Sequence, residues 1–185
     1  MSHGLKSIRR VVTGNDSQGR SRVVWDSAAP NVNPGAVNPS AGMTDVWVWK
    51  QTPAPLADDR DDGNLPFRFE PPECGGHLRI VQSKGKPAGY DPATDTALVP
   101  MHEPRQRPGG TWDRGGGSAF SSPVHQSHTV DYGILLDGKR TLILDDGRLP
   151  MQPGDVVVQV GNWHGWTNPE ADSRMAFVMM GGRKD

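Results

Sequence analysis

Two short stretches gather most of the side chains that could do chemistry: His125-Gln126-Ser127-His128-Thr129-Val130-Asp131 and Gly161-Asn162-Trp163-His164-Gly165-Trp166-Thr167-Asn168. In an extended strand successive side chains face opposite sides, so His125, Ser127, Thr129 and Asp131 share one face while Gln126, His128 and Val130 share the other. If the first face looks inward, an imidazole and a carboxylate enter the interior together, and His164 is their natural partner from the second stretch. His125, Asp131 and His164 then form a two-histidine, one-carboxylate set. That ligand type leaves positions open on non-haem Fe(II) and also suits Zn or Mn. Open positions would let substrate, water or dioxygen bind the metal directly. The alternative is a metal-free interior in which the imidazoles and Asp131 form a hydrogen-bonded network, because buried polar groups need partners. A carboxylate inside a barrel is costly unless paired or bound to a cation, which argues against a purely structural role.

Around this set, Asp131 and Ser127 are the candidate catalytic groups, and Ser127, Tyr132, Trp166 and His102 the candidate substrate contacts. A serine hydroxyl is a poor metal ligand but a reasonable hydrogen-bond partner for substrate or metal-bound water; satisfaction by backbone is its blander role. His128 falls on the outer face. His102, in Pro100-Met101-His102-Glu103-Pro104, could serve as acid, base or fourth ligand, without a spacing argument behind it; His77 and His3 have still less. Trp163, Trp166, Tyr132 and Met151 flank the two stretches, and aromatic walls suit a flat organic substrate, with core packing as the alternative.

The elements that must position these groups read as strands. Asp131–Leu136 and Thr141–Leu144 are short apolar runs separated by Asp137-Gly138-Lys139-Arg140, a hairpin signal. A second turn follows at Asp145-Asp146-Gly147. Pro153-Gly154-Asp155 opens Val156–Val160, whose β-branched, apolar character without alternation predicts a strand covered on both sides. Arg174–Met180 supplies one more strand. Upstream, Ile8–Val12 and Arg22–Trp25 flank a turn over 13–19, and Asp45–Lys50 and His77–Gln82 read as further strands. Pro- and Gly-rich connections span 28–42, 53–66 and 83–123.

Residues 119–181 resemble a cupin, a small double-stranded β-helix barrel. The first cupin motif, roughly G-x5-H-x-H-x3,4-E-x6-G, is followed by His125-x-Ser127-x3-Asp131-x6-Gly138. The second, roughly G-x5-P-x-G-x2-H-x3-N, is followed by Gly154-Asp155 and Gly161-x2-His164-x3-Asn168. Ser127 stands where the family has its second histidine, Asp131 where it has glutamate, Ala119 where it has a leading glycine, and Gln159 where it has proline. The resemblance implies an all-β, cupin or jelly-roll-like barrel forming one structural domain. Within it, 1–118 holds an N-terminal β extension, early barrel strands and the long loop, and 119–185 the motif core. The 83–123 loop would then cover the barrel mouth and shape the pocket, or run over the surface. Ile134 and Leu136 would sit on an outer face and need cover, from a second copy in a homodimer or from the N-terminal segment.

Composition narrows the function classes. Formal net charge is −1 and pI about 6.6, so there is no electrostatic footprint for nucleic acid or an anionic membrane. With 23 Gly and 17 Pro, turns outweigh helix. Cys74 is the one cysteine, and Met1 to Arg10 lacks an apolar core of the kind export signals carry. Both favour a reducing, cytoplasmic location. The expectation is therefore an enzyme with one divalent metal ion, Fe(II), Zn or Mn, acting on a small aromatic, enolic or polyketide-like molecule, with oxygenase chemistry slightly favoured. A metal-dependent lyase, isomerase or dehydratase and a non-catalytic small-molecule binder remain the alternatives.

Overall fold

A computed structural model describes residues 4–56 and 59–183; His3 and Asp58 lie outside the described residues. In chain order its strands are β1 (Arg9–Asn15), β2 (Ser21–Ala28), β3 (Asn31–Pro34), β4 (Ala41–Trp49), β5 (Gly76–Ser83), β6 (Arg105–Gln106), β7 (Trp112–Asp113), β8 (His125–Gln126), β9 (Thr129–Gly138), β10 (Arg140–Leu144), β11 (Gly147–Met151), β12 (Val156–Val160), β13 (Gly165–Thr167) and β14 (Ser173–Gly181). The helical content among the described residues is a single 3-10 turn, Pro92–Thr94. The fold is all-β, as the turn-rich composition requires.

A six-stranded antiparallel sheet, ordered β12-β9-β14-β5-β4-β3, forms one wall, and the three-stranded sheets β11-β10-β13 and β6-β7-β8 lie apart from it. Strand alternation selects what faces the interior. Leu135 of β9, Met175, Phe177 and Met179 of β14, Val81 of β5 and Met43 of β4 pack against Leu142, Met151 and Trp166 of the smaller β10 sheet. Leu135 and Met175 are fully shielded from solvent, and burying each such side chain contributes about 1.5–3 kcal/mol. β1 and β2 form a separate hairpin. It is tied back by the Arg10–Asp61 ion pair and by Trp25 against Trp47, ring centroids 6.4 Å apart.

Several sequence expectations change. Asp137-Gly138 is not a hairpin turn: β9 pairs with β12 and β14, whereas β10 pairs with β11 and β13, so the chain leaves one sheet for another there. Gly138 makes that corner at φ +82°, where a Cβ would run into the Asp172 carbonyl. The true hairpin is the second one, β10 to β11 across Asp145-Asp146. Val156, Val158 and Val160 are exposed on the edge strand β12, which is therefore covered on one face and not both. β3 lies within the 28–42 connection, and the 83–123 segment carries β6 and β7, which pair onto β8. This segment is fixed by Asp113, 1% exposed, whose carboxylate is met by Arg107, by His102 Nε2 at 3.1 Å and by the Gly115 amide at 2.9 Å.

A buried polar cluster closes the seam between the sheets. Asn168, with no exposed surface, donates to the Ser83 and Ala171 carbonyls, both at 3.1 Å, and accepts from Arg140 at 2.7 Å. The last residue of the second motif is thus a structural clamp.

Candidate active site

His125 and His164 meet because their backbones pair directly: each amide donates to the other's carbonyl, at 2.7 and 2.9 Å. Directly opposed antiparallel residues project to one side, and the two imidazoles lie with ring centroids 4.3 Å apart. His125 Nδ1 lies 2.8 Å from the Pro123 carbonyl and His164 Nδ1 3.0 Å from the Asn162 carbonyl. A carbonyl can only accept, so Nδ1 carries the proton in both rings and the lone pair sits on Nε2. Burial lowers the pKa of His125 against the pull of the Pro123 carbonyl. It lowers that of His164 further, with help from neighbouring His125, to about 3. Both rings are neutral at physiological pH.

The rings line a cavity of about 50 Å³, together with Asp131 and Gln159. Asp131 on β9 and Gln159 on β12 are register partners, so their side chains enter on the same face. They are 4% and 3% exposed. Among the described residues Asp131 Oδ1 and both amide atoms of Gln159 have no hydrogen-bond partner. Burial lifts the Asp131 carboxyl to about 6, partly offset by the Thr129 hydroxyl and the Arg79 guanidinium. Trp166, Phe177, Met43, Met179 and Phe69 supply the apolar walls.

Phe69 stands at the outer side. Its ring meets that of His125 edge-on at 6.0 Å, and it also lines a groove of about 790 Å³ whose walls include Leu65, Arg68, Glu70, His77 and Pro108. Phe69 is held by Arg79, whose guanidinium bonds Asp45 at 2.6 Å, donates to the Arg68 and Phe69 carbonyls at 2.6 and 3.0 Å, and lies 4.7 Å from the Phe67 ring centroid. Two groove residues carry buried polar atoms without partners, Glu70 Oε1 and His77 Nε2. Burial and the Asp131 charge raise Glu70 to about 7.

Of the residues singled out in sequence, His125, His164, Asp131 and Trp166 line this cavity. Ser127 is buried but does not line it, and its hydroxyl is engaged with Thr129 Oγ1 at 2.7 Å. The strand breaks between β8 and β9 at Ser127-His128, so His125 and Asp131 arrive from different sheets and not from one continuous face. His128 is exposed, as alternation had it. Tyr132 is 38% exposed on the outer face, and His102 has Nδ1 against the Glu103 carbonyl and Nε2 3.1 Å from Asp113; neither reaches the cavity. Of the 83–123 segment, Ser122 reaches the cavity lining, whereas Pro108, Gly109 and Thr111 line the groove.

Among the described residues no three His, Cys, Asp or Glu side chains converge closely enough to hold one ion. The two imidazoles have the free Nε2 lone pairs that metal ligation needs, and Asp131 does not join them in a close group of three such side chains. Sequence reading missed Gln159, Arg140, Phe69 and Arg79. Gln159 alone carried a signal, as the polar interruption of an apolar strand.

No family profile matches the chain. Curated relatives do. The chain is 45% identical over 166 residues to the cupin-domain-containing oxidoreductase srdD of Neurospora crassa, covering 89% of this chain and 68% of that protein. It is 36% identical over 184 residues to the cupin-domain-containing oxidoreductase fogC of Aspergillus ruber, covering 96% and 74%. The chain belongs to the cupin superfamily. It is also 39% identical over 188 residues to the phomopsin biosynthesis cluster protein D of Diaporthe leptostromiformis, covering 95% of this cupin and 79% of that protein. Among the described residues of the cupin no helix is long and apolar enough to cross a membrane.

Proposed function

We propose that this cupin is an oxidoreductase of small-molecule biosynthesis, whose substrate lies in the groove and extends a reactive end past Phe69 into the cavity. The observation that carries the reading is the set of opposed polar groups in an otherwise apolar chamber. Two neutral imidazoles meet a buried carboxyl and a carboxamide whose polar atoms lack partners, and buried groups of this kind require one. Volume supports the division of labour. The cavity, at about 50 Å³, holds a few atoms, whereas the groove, at about 790 Å³, falls in the ~300–1,000 Å³ range of small-molecule sites.

In this arrangement Asp131, with its pKa near 6, is poised to take or give a proton near neutral pH. The Nε2 lone pairs of His125 and His164 accept hydrogen bonds from substrate, and the Gln159 amide can donate and accept to fix its orientation. Phe69, Trp166 and Phe177 exclude water, which strengthens each of these interactions. Oxidation also needs an electron acceptor, which these side chains do not supply; the names of the relatives favour that class over proton transfer alone. The second reading, an isomerase, lyase or dehydratase, is favoured by Asp131 itself, which has the acid–base character such chemistry needs and is not committed to a three-ligand metal set. A reducing, cytoplasmic setting is part of the proposal, supported by the exposed free thiol of Cys74.

The test is incubation of protein purified without chelator, its metal content measured, with small phenolic and enolic compounds under air and under nitrogen. Oxygen-dependent products that differ from substrate by hydrogen or oxygen atoms support the oxidoreductase. Oxygen-independent isomers or dehydrated products support the second reading. Turnover that is unchanged in Asp131→Asn would remove the proposed role of this cavity.

A further inference from the structure

Among the described residues Arg140 is a buried cation with no ion-pair partner. It is 5% exposed and lines the same cavity as His125, His164 and Asp131. Its engaged nitrogen is Nη1, which donates to the Ser83 hydroxyl, to Asn168 Oδ1 at 2.7 Å and to the Ser173 hydroxyl at 3.3 Å. All three acceptors are neutral. Nε is buried and unpartnered, and among the described residues no carboxylate forms an ion pair with this guanidinium. The contrast with Arg79 is direct, since Arg79 is equally buried but bonded to Asp45 through two nitrogens. A guanidinium removed from water requires compensation by charge as well as by hydrogen bonds. The Trp166 ring, 5.8 Å from Cζ, offers only a partial substitute.

The neutral cluster holds Nη1, Nε is left without a partner, and Nη2 makes no hydrogen bond among the described residues. Two parallel N–H donors at fixed spacing match the two oxygens of a carboxylate. Resting on the reading of this cavity as the substrate's destination, we infer that the substrate is an organic acid whose carboxylate is held by the free edge of Arg140. The small cavity suits such a group: a carboxylate is compact and planar, while the remainder of the molecule occupies the groove beyond Phe69. Arg140 is then a specificity-determining contact that excludes neutral analogues, because they would leave the buried charge unpaired.

The probes are acetate and acetamide, which share shape and differ in charge, titrated into the full chain in chloride-free buffer and followed by NMR. Acetate should bind roughly ten-fold or more tightly than acetamide, as a charge-assisted pair implies, and should shift the Arg140 Nε–H resonance. In Arg140→Gln the preference should vanish. Arg140→Lys, which keeps the charge without the planar fork, should retain part of it. The wild-type Nε–H signal is read without any substitution, so the test stands even if a variant fails to fold. Equal binding of the two probes, an unmoved Arg140 signal, or acetate binding that survives in folded Arg140→Gln overturns the inference. Because the readout is binding and not turnover, failure here is separable from failure of the proposed activity.

Discussion

Replacing Asp45 by alanine should destabilise the protein by about 3–5 kcal/mol, the usual cost of leaving one member of a buried ion pair unpaired. The structure sets that magnitude. The Arg79 and Asp45 side chains are 1% and 3% exposed and 2.6 Å apart, and what remains to Arg79 afterwards is two carbonyls, those of Arg68 and Phe69. In a domain of this size each kcal/mol lowers the melting temperature by roughly 2–4 °C, so a fall of about 6–20 °C is expected. The double variant Asp45→Leu/Arg79→Met removes both charges of this pair. It loses the donors to two carbonyls, about 1 kcal/mol each, and should be more stable than the single variant by about 1–3 kcal/mol. Equilibrium urea unfolding, followed by the fluorescence of the six tryptophans, measures both. A loss below about 1 kcal/mol for Asp45→Ala, or a double variant less stable than the single one, would refute the claim that this pair is what holds the Phe67–Phe69 segment over the cavity.

Two further outcomes are expected. Burial and the Arg79 charge push the His77 pKa from 6.5 to about 3, so the unfolded chain takes up a proton near 6.5 that the folded one refuses until about 3. The stability linked to this group is complete above pH 6.5 and is lost as pH falls towards 3. By pH 4 the loss is about 3 kcal/mol, and His77→Gln should reduce the stability difference between pH 7 and pH 4 by that amount. Identical acid limbs in the two proteins would contradict it. The outer face of the large sheet exposes Val156, Val158 and Val160 at 56%, 56% and 73%, beside Leu136 at 46%. Light scattering should therefore report a homodimer that Val158→Lys converts to monomer, and a monomeric wild type would leave that face without the proposed partner.

The chemistry-bearing residues were partly legible because short-range rules encode them. His125 and His164 stand at motif spacing, and the register partners Asp131 and Gln159 follow from alternation once their strands are paired. Ser127 was misplaced for a physical reason: alternation holds only while a strand continues, and here it is interrupted so that the chain can pass from β8 to β9. Tyr132 adjoins the first motif in sequence but faces outward, and His102, 23 residues before His125, stays beside Asp113 and away from the cavity. Gly138 shows the same limit from the backbone. A DG step signals a sharp turn, yet whether the flanking strands then pair with each other depends on which neighbour buries their apolar faces.

The sequence by itself determined the all-β class, the family and the imidazole pair, because turn chemistry, period-2 patterning and motif spacing are local properties of the chain. Tertiary structure alone decided that Gln159 faces Asp131 in the cavity and that Phe69 lines both cavity and groove. It also decided that Arg79 finds an acid while Arg140 finds none. Each of these depends on residues 28 to 56 positions apart meeting across strands and sheets, and no local pattern records which buried charge will meet its counterpart.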